Sequence, residues 1–460
     1  MKADIFHAYD IRGLSPSEID EPFARRLGKT LVHQFKPKTV VVGRDMRETS
    51  QELKDALIEG LTSSGANVID IGLCSTPMFN FAVGEQAGQY DLGIMVTASH
   101  NPAVYNGFKI SKGDCTAVGL GSGLEAVRDT MISDEPLLDA SVQGTRSEDL
   151  GVLARYVEKV WQVAALSASM APMRVAMDAG NGMEGYVLPV FMKTRTVIEP
   201  VALYWELDGT FPNHEANPSK PETTRKLQES VVTRNCHFGV AFDGDADRVG
   251  FVDERGERIP GDIVVALLAK ELLREHAGAA VVYDLRCSWA VREIIEEAGG
   301  RAVISPVGHP HMKQIMKEEQ AVFGGELSAH LYFASMHHCE ASDLAMLLIA
   351  KIMARENKKL SELWKPLQRY AHSGEINFTV KNKEAVLKKI AETYADKAQQ
   401  DLRIDGIRME FSDAGNGQAD WWFSVRASNT EPCLRLIVEA RTTETMERHQ
   451  EALTRLITGT

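Results

Sequence analysis

Short apolar runs that end in polar turns alternate with helical patterns along the first part of the chain. Residues 39–43, 66–71 and 92–96 are rich in apolar side chains, which predicts buried strands. Between the first two runs, Leu53 and Leu57 recur at the spacing of one helix face. This alternation is typical of α/β winding, in which helices cover a largely parallel sheet.

The same unit recurs further along the chain. Residues 174–182 and 280–286 each form an apolar run that leads into a turn containing Asp, as residues 40–45 do. A helical pattern and another strand follow each of them. We interpret this as a threefold repeat of one α/β unit, because a single sheet built from all these strands would be unusually wide.

The end of the chain has a different pattern, which predicts a small α+β domain. Its predicted strands are residues 376–380, 407–411, 421–427 and 433–440, and its predicted amphipathic helices are residues 384–396 and 444–457. Residues 132–149 are polar and acidic and predict a linker. The predicted fold class is therefore α/β, with three similar mixed α/β domains plus a small C-terminal α+β domain. The four domains are predicted at residues 1–145, 150–253, 254–365 and 370–460.

Composition narrows the class of protein. At 460 residues the chain is long enough for several domains. Its formal net charge of -13 argues against general binding to nucleic acid or to an anionic membrane. The six cysteines lack Cys-x-x-Cys spacing, which indicates reduced thiols and neither a disulfide framework nor a zinc site. The sequence has no segment with the character of a signal peptide or a membrane span, so we expect a cytoplasmic protein.

Ser99 is a candidate nucleophile. It belongs to the run Thr-Ala-Ser-His-Asn-Pro at residues 97–102, which directly follows the predicted strand 92–96. Ligands of α/β sheets bind at the carboxyl ends of the strands. A serine there becomes a nucleophile when its neighbours accept its proton or stabilise developing charge. Taken alone, the run is more typical of a strand followed by an Asn-Pro loop, so other stretches have to decide.

Three carboxylates alternate in a second polar turn, at Asp243, Asp245 and Asp247. In an extended loop these side chains face the same side and can converge on one hard divalent cation, which suits Mg²⁺. A calcium loop of the EF-hand type is the alternative. Arg248 stands where that loop needs glycine, and the flanking runs have the character of strands, so this alternative is the weaker one.

Two more polar stretches complete the set. Residues 324–330 are Gly-Gly-Glu-Leu-Ser-Ala-His, and residues 426–432 are Arg-Ala-Ser-Asn-Thr-Glu-Pro. The second stretch offers a guanidinium, two hydroxyls and an amide, which suit the oxygens of a phosphate group. Alone, it is also compatible with a polar hairpin turn.

Together these stretches resemble the α-D-phosphohexomutase family over nearly the whole chain. Residues 9–13 (Tyr-Asp-Ile-Arg-Gly) match its opening motif, residues 97–102 its phosphoserine loop, and residues 243–248 its metal loop. Residues 326–330 match its sugar-recognition loop, and residues 426–432 its phosphate clamp. The resemblance implies four domains around a central cleft and interconversion of hexose 6-phosphate and hexose 1-phosphate.

The matching motifs imply roles for individual residues. Ser99 is expected to carry the phosphoryl group and to bind Mg²⁺ together with Asp243, Asp245 and Asp247. The other expected catalytic residues are His100, Lys109, Arg12, Arg248 and His330. The residues expected to contact substrate are Tyr9, Arg286, His309, Glu326, Ser328, Arg426, Ser428, Asn429 and Thr430. Lys109 and His330 are the candidates for proton transfer, and a lysine base requires a lowered pKa.

Within the family the chain is most similar to the bacterial phosphomannomutases that feed GDP-mannose synthesis, judged by residues 285–289 and 328–330. This implies a hexose phosphate substrate, a hexose 1,6-bisphosphate intermediate and activator, and a monomer or weak homodimer. Activity on glucose phosphates, as in a phosphoglucomutase, and phosphoglucosamine mutase activity are the alternatives. A catalytically inactive sugar-phosphate-binding protein fits less well because it needs no nucleophile, and a serine phosphatase fits less well because the ligands for two metal ions are absent from these motifs.

Overall fold

Four β-sheets follow one another along the chain. They are seen in a computed structural model that describes residues 3–133, 135–167, 169–193, 196–412, 419–428 and 433–459. Within these ranges, no helix combines the length and the apolar character needed to cross a membrane.

The first sheet has six strands. Its part of the chain forms β1 (Ile11–Leu14), α1 (Glu21–Phe35), β2 (Thr39–Arg44), α2 (Ser50–Ser63), β3 (Asn67–Leu73), α3 (Thr76–Glu85), β4 (Leu92–Val96), β5 (Tyr105–Lys112), α4 (Leu124–Ile132) and β6 (Arg146–Glu148). The strand order is β1-β5-β4-β2-β3-β6. Strand β6 lies in the segment predicted to be a linker, yet it pairs in parallel with β3. That part of the linker prediction is wrong, because backbone pairing recruits a segment with no apolar pattern.

The second and third sheets have five strands each. The second part of the chain forms α5 (Val152–Ala164), β7 (Met173–Asp178), α6 (Glu184–Met192), β8 (Ile198–Leu203), α7 (Arg225–Thr233), β9 (Phe238–Phe242), β10 (Val249–Asp253) and β11 (Arg258–Ile259). The third forms α8 (Gly261–Leu272), β12 (Ala280–Asp284), α9 (Trp289–Glu297), β13 (Arg301–Ser305), α10 (His309–Glu318), β14 (Phe323–Gly325), β15 (Leu331–Phe333), β16 (Cys339–Glu340), α11 (Ser342–Glu356) and α12 (Leu360–Trp364). Their strand orders are β11-β10-β9-β7-β8 and β13-β12-β14-β15-β16.

These three sheets share one topology, which confirms the predicted repeat. In each, a central strand has a parallel neighbour on both sides, and one of these neighbours continues into an antiparallel strand: β5-β4-β2-β3, β10-β9-β7-β8 and β15-β14-β12-β13. The recurring Asp plays the same part each time. Asp45, Asp178 and Asp284 each accept a hydrogen bond from the backbone N–H two residues later, an Asx turn that closes the end of the central strand.

The fourth sheet is antiparallel and forms a small α+β domain, as predicted. It contains β17 (Ala371–His372), β18 (Ile376–Phe378), α13 (Lys383–Tyr394), β19 (Gln400–Leu402), β20 (Ile407–Phe411), β21 (Trp421–Ala427), β22 (Leu434–Ala440) and α14 (Thr443–Thr458). The strand order is β17-β22-β21-β20-β19, and β18 also pairs with β22. Strands β17 and β19 are not predicted by the sequence, because they are short and largely polar.

Polar side chains fix where several helices begin. The side chains of Asp20, Ser75, Ser288, Asn382 and Thr442 each accept a hydrogen bond from a backbone N–H in the first turn of the following helix. A cap of this kind satisfies a donor that the helix cannot satisfy itself and typically stabilises it by about 1 kcal/mol.

The hydrophobic core of the described residues consists of separate clusters, and one of them, with Ile94 and Phe108 among its members, belongs to the first domain alone. One large apolar cluster runs through the second and third sheets and reaches the first, with Met95, Phe238 and Val265 among its members. The fourth domain has its own core, formed on β20 to β22 and the helices α13 and α14. A small cluster of Trp289, Trp422 and Ile437 connects it to the third domain.

Two carboxyl groups are buried together where α5, α6 and α11 meet. Glu184 and Asp343 are fully buried, and the Tyr156 hydroxyl donates to Asp343 Oδ2 over 2.7 Å. Among the described residues, no N–H or O–H group donates to either carboxyl oxygen of Glu184. Burial, and then the charge of Asp343, raises the pKa of Glu184 well above its ordinary value. Burial also raises the pKa of Asp343 to about 6. A proton held by one carboxyl group lets it donate to the other.

Replacing Glu184 with Gln should stabilise the protein at pH 8. Both carboxyl groups have higher pKa values in the folded protein than in the unfolded chain, so the unfolded chain releases their protons first. The free energy of unfolding therefore falls as the pH rises above about 4. The charged groups facing Glu184 are Asp343 and Asp243, and the neutral Tyr156 lies beside Asp343.

Thermal melts with a chelator present measure this effect. We expect the melting temperature of E184Q to exceed that of the wild type by about 2 °C or more at pH 8. The difference should be smaller at pH 5. The exposed Glu447→Gln is the matched control. If the melting temperatures of the wild type and E184Q depend on pH in the same way, Glu184 and Asp343 do not share a proton.

Candidate active site

The polar stretches singled out in the sequence occupy equivalent places in the three repeated sheets. Residues 97–104 connect β4 to β5, residues 243–248 connect β9 to β10, and residues 326–330 connect β14 to β15. In each repeat this is the turn between the last parallel strand and its antiparallel partner. The repeat therefore brings three chemically different loops to the same cleft.

Ser99 lies at the centre of the first loop. Its Oγ donates to Asp243 Oδ2 over 2.9 Å and lies 3.2 Å from Nδ1 of His100. Its backbone N–H donates to Thr97 Oγ1 over 2.9 Å. The residue is buried and has a φ of 53°, a left-handed conformation that is costly for a non-glycine residue and that is often found at functional sites. The backbone thus turns this hydroxyl toward the carboxylates of the second domain.

Arg47 holds the Ser99 loop in place, a role that the sequence analysis missed. Its guanidinium donates to four carbonyl oxygens of the loop and its exit, those of Ser99 (2.8 Å), Asn101 (2.6 Å), Pro102 (2.9 Å) and Tyr105 (2.9 Å). Arg47 is itself buried. In the sequence it is only the polar exit of a strand, and the carbonyl groups that it binds lie more than fifty residues away.

Asp243, Asp245 and Asp247 form a group that could hold a metal ion. One oxygen of each lies within 4.8 Å of the others, and all three residues are buried. Thr76 Oγ1 donates to Asp245 Oδ2 over 2.6 Å. Asp245 Oδ1 and Asp247 Oδ1 are buried and have no hydrogen-bond partner among the described residues. Buried, unpartnered carboxylate oxygens are the donors that a hard cation requires.

Lys109 contacts two of these carboxylates. Its Nζ lies 2.5 Å from Asp245 Oδ2 and 2.6 Å from Asp247 Oδ2. Burial lowers the pKa of Lys109, but the charges of Asp245 and Asp247 outweigh burial and raise that pKa above its ordinary value. The lowered pKa that a lysine base requires is therefore not found at Lys109, because the nearest charges are negative.

His330 lies between the second and third loops. Its Nδ1 is 2.9 Å from Glu326 Oε2 and 3.0 Å from Ser328 Oγ, and its Nε2 is 3.4 Å from Asp247 Oδ1. Arg248 Nε also approaches Nε2, at 3.2 Å. Burial lowers the pKa of His330, but the carboxylates of Asp247 and Glu326 outweigh burial and raise that pKa to about 9.

Glu326 anchors the third loop. Its Oε1 accepts from the Gly308 N–H over 2.8 Å, and its Oε2 accepts from the Tyr332 hydroxyl over 2.9 Å. Burial raises the pKa of Glu326, but His330 and Arg286 hold that pKa below its ordinary value. The carboxylate is thus ionised, and it binds His330 of its own loop together with Gly308 and Tyr332.

Arg12 and His100 line the cleft from the first domain. The Arg12 guanidinium is bound to Asp10 (2.8 Å) and to Asn101 Oδ1 (2.7 Å). Burial, together with the charges of Arg248 and Arg12, lowers the pKa of His100 well below its ordinary value. His100 is therefore a neutral neighbour of Ser99.

Tyr9 and His309 form one of the contacts between the first and third domains. The Tyr9 hydroxyl donates to the Val307 carbonyl oxygen over 2.8 Å. The rings of Tyr9 and His309 meet edge to face at 5.5 Å. Burial, and then the charge of Lys313, lowers the pKa of His309 well below its ordinary value.

Two arginines predicted to bind phosphate are each paired with carboxylates. Arg286 contacts Asp284 (2.7 Å) and Glu375 (3.4 Å), and Arg426 contacts Asp405 (3.0 Å). Ser428, the other described residue of the clamp, is mostly buried. Asn429 and Thr430 lie outside the described residues.

One cleft of about 830 Å³ unites these groups. Its lining includes Tyr9 and Ser99 from the first domain, Arg248 from the second, Glu326 from the third and Arg426 from the fourth. A cleft of this size accommodates a small ligand. Its lining has a similar number of cationic and acidic side chains, and the arginines among them can bind an anionic group.

Four protein-family models together match most of the chain. The models described as phosphoglucomutase/phosphomannomutase, alpha/beta/alpha domains I, II and III match residues 3–119, 154–256 and 260–370, and the model of the C-terminal domain matches residues 375–456. The chain belongs to the phosphoglucomutase/phosphomannomutase family. The predictions of a phosphohexomutase enzyme and of three α/β domains followed by a different C-terminal domain are confirmed.

Curated relatives and a solved structure agree over the full length. A phosphomannomutase of Methanocaldococcus jannaschii is 39% identical over 459 residues, covering 98% of this chain and 97% of the relative. A phosphomannomutase of Escherichia coli strain K12 is 35% identical over 446 residues, covering 96% and 95%. The crystal structure of a phosphoglucomutase/phosphomannomutase family protein from Burkholderia thailandensis has a TM-score of 0.87 at 29% identity, covering 100% and 98%.

Gly244 should tolerate no side chain, because it lies where the first two loops approach most closely. A Cβ at this position would lie 2.5 Å from the Ser99 carbonyl oxygen. We expect Gly244→Ala to push the loops apart and to lower mutase activity about 100-fold, which is the usual scale for a misplacement of about 1 Å.

Ala246→Gly is the matched control in the same loop. Ala246 has a φ of 64°, a conformation that glycine adopts without strain. We expect A246G to retain activity within about threefold and to melt within a few degrees of the wild type. Steady-state kinetics and thermal melts of both variants test this, and an active G244A variant would show that the close approach is dispensable.

Proposed function

We propose that this protein is a phosphomannomutase that interconverts mannose 6-phosphate and mannose 1-phosphate. The observation that carries the proposal is the hydrogen bond from Ser99 Oγ to Asp243. It places a hydroxyl against three clustered carboxylates beside a cleft whose lining includes several arginine side chains. A nucleophile, a cation site and phosphate-binding arginines are the parts that phosphoryl transfer needs.

Mannose phosphate is the favoured substrate because curated relatives at 39% and 35% identity are named phosphomannomutase. A relative from Xanthomonas campestris, 37% identical over 449 residues, is named phosphohexose mutases. Activity on glucose phosphates as well is therefore part of the proposal. The two sugars differ at one hydroxyl group, and a single hydrogen bond contributes about 1 kcal/mol to their discrimination.

In the proposed reaction, Ser99 begins as a phosphoserine. A sugar hydroxyl oxygen forms a bond to phosphorus as the bond from Ser99 Oγ breaks, and the hydroxyl proton leaves to a base. The product is hexose 1,6-bisphosphate, which turns over in the cleft. Ser99 Oγ then takes the other phosphoryl group, which restores the phosphoserine. Lys109 and His330, which approach Asp247, are the candidates for proton transfer. Because their pKa values are raised, each holds a proton at neutral pH and would act first as a proton donor.

The acidic triad would hold Mg²⁺, with an oxygen of the phosphoserine as a further ligand. The unpartnered oxygens of Asp245 and Asp247 support this assignment. When bound, the ion supplies charge neutralisation at the phosphoryl group. Arg248, whose backbone N–H donates to Asp243 over 3.1 Å, would place a second positive charge there.

The remaining cleft residues would hold the substrate. We assign the phosphate that is not reacting to Arg426, Ser428, Asn429 and Thr430, and we assign to His309 and Arg286 a supporting role in binding the anionic substrate. We assign the sugar and the walls of the site to Tyr9, Arg12, His100, Glu326 and Ser328. The second group is supported by its position in the cleft.

The wider setting is also part of the proposal. The free cysteines of the described residues are all buried, which supports a reducing, cytoplasmic location. We assign the domains to residues 1–145, 150–253, 254–365 and 370–460, except that β6 extends the first to residue 148 and β11 extends the second to residue 259. We assign the product to GDP-mannose synthesis. The protein would act as a monomer or weak homodimer with no nucleic acid or membrane partner, which the net charge of -13 supports.

Removing the Ser99 hydroxyl should abolish activity. We expect Ser99→Ala to lower turnover at least about 1000-fold in a coupled assay with mannose 1-phosphate, Mg²⁺ and a trace of glucose 1,6-bisphosphate, because no acceptor remains for the phosphoryl group. The exposed Ser141→Ala is the control. Intact-mass measurement should find a phosphoryl group on the wild type and none on S99A. A fully active S99A variant would refute the proposal, and parallel assays with glucose and glucosamine 1-phosphates would define the substrate.

Metal removal should have a comparable effect. We expect a chelator to lower activity at least about 100-fold and added Mg²⁺ to restore it, because the charge on the transferring group would otherwise face three carboxylates. Asp245→Asn should weaken Mg²⁺ binding without unfolding the protein, so that a higher Mg²⁺ concentration is needed for half of the maximal rate. Activity that survives exhaustive chelation would rule out this role of the triad.

A further inference from the structure

The clamp residue Arg426 already has an anionic partner within the protein. Its Nε lies 3.0 Å from Asp405 Oδ2, and the arginine side chain is 3% exposed and the aspartate side chain 18% exposed. Asp405 belongs to the hairpin between β19 and β20. To a guanidinium, a carboxylate oxygen and a phosphate oxygen are equivalent acceptors.

The same carboxylate joins the fourth domain to the third. Asp405 Oδ2 also accepts a hydrogen bond from the Val307 N–H over 3.2 Å. The carbonyl oxygen of Val307 accepts from Tyr9 of the first domain. The next residue, Gly308, donates its N–H to Glu326 in the third loop. One carboxylate thus connects Arg426 to the segment of the third domain that donates a hydrogen bond to Glu326 of the third loop.

The backbone fixes Asp405 in this place. Gly406 has a φ of 72°, and a Cβ there would lie 2.4 Å from the Val425 carbonyl oxygen and 2.8 Å from Arg426 Cα. The hairpin therefore packs directly on β21, where Ile407 pairs with Val425. Asp405 and Arg426 are held together by this packing as well as by their charges.

A second acidic residue of the fourth domain is also paired with arginines. Glu375, which lies between β17 and β18, contacts Arg286 of the third domain over 3.4 Å and Arg435 of β22 over 2.9 Å. Acidic side chains of the fourth domain thus face the arginines of the cleft at two places.

We propose that Asp405 is a positioning residue that acts as a built-in competitor of the substrate phosphate. A phosphate group at Arg426 either displaces the carboxylate or binds beside it against its negative charge. In both cases Asp405 lowers the affinity of the clamp and speeds its release of phosphate. The bisphosphate has to leave the clamp and turn over between the two transfers, so a clamp without this carboxylate would retain it too long. This inference rests on the proposed function, in which Arg426 binds phosphate.

Asp405→Asn tests the competition, because it removes the charge and keeps an oxygen that can accept from Val307. Calorimetric titration with glucose 1,6-bisphosphate and with inorganic phosphate, in a chelator to prevent turnover, should give dissociation constants about fivefold lower than those of the wild type. In the mutase assay, KM and kcat should both fall, so that kcat/KM changes little.

Two control variants accompany it. Asp405→Glu keeps the charge and should bind both probes like the wild type. Asp401→Asn removes an exposed carboxylate from the adjacent strand, where it pairs with Arg403, and should leave binding and kinetics unchanged. If D405N does not fold, Asp405→Ser removes the same charge and serves the same comparison.

The outcomes separate the two hypotheses. Unchanged or weaker binding by a folded, uncharged variant would overturn the competitor role, and a lower melting temperature with weaker binding would indicate a structural role alone. Failure of the wild type to bind either probe would instead overturn the proposed function. Tighter binding with a parallel fall in kcat is the result that supports both.

Discussion

Three carboxylates buried within 4.8 Å of one another are the constraint on which the rest of the cleft depends. Burial, followed by the charges of Asp247 and Asp245, raises the pKa of Asp243 well above its ordinary value. The cost of gathering these charges is offset by cationic groups that arrive from other sheets, Lys109 from the first and His330 from the third. Opposite charges at such distances attract strongly where water is excluded. Attraction between opposite charges thus stabilises the contacts of the first and third domains with the loop at residues 243–248 of the second domain.

The threefold repeat explains how such different loops can meet. Each repeat has the same strand order and the same antiparallel turn, so backbone topology alone directs three loops toward one cleft. The side chains on those loops then differ completely: a serine held by Arg47, a row of aspartates, and a glutamate shared with a histidine. The scaffold supplies position and the loops supply chemistry, which is how α/β folds accommodate many activities.

Much of this arrangement could be predicted from the sequence because it depends on local patterns. The run that becomes β4 lacks polar side chains and ends at Val96, three residues before Ser99, and the strands that become β20 and β21 have the predicted limits. Contacts between distant residues could not be predicted. The bonds from Arg47 to the Ser99 loop, the pairing of β6 with β3, and the contact of Asp405 with Val307 all join segments far apart in the chain.

The pKa of Lys109 shows the same limit. The sequence identified the residue and the lowered pKa that a base would need, but the direction of the shift depends on which charges lie nearest in space. The buried pair of Glu184 and Asp343 leaves no pattern in the sequence, since the two carboxyl groups lie in the first turns of two helices far apart in the chain. Local physics identifies elements and candidate groups, whereas their charge state follows from packing.

The narrow apolar contact between the third and fourth domains bears on how the protein responds to temperature. Three buried side chains, Trp289, Trp422 and Ile437, form that cluster, and the partly buried Leu327, Tyr370 and Ala419 pack against it. Ionic and hydrogen-bonded contacts also join the two domains. A hinge motion that separates these domains would expose little apolar surface to water, so its change in heat capacity would be small. Its rate would then follow a nearly straight Eyring plot, whereas global unfolding, which wets the large shared core, would follow a curved one.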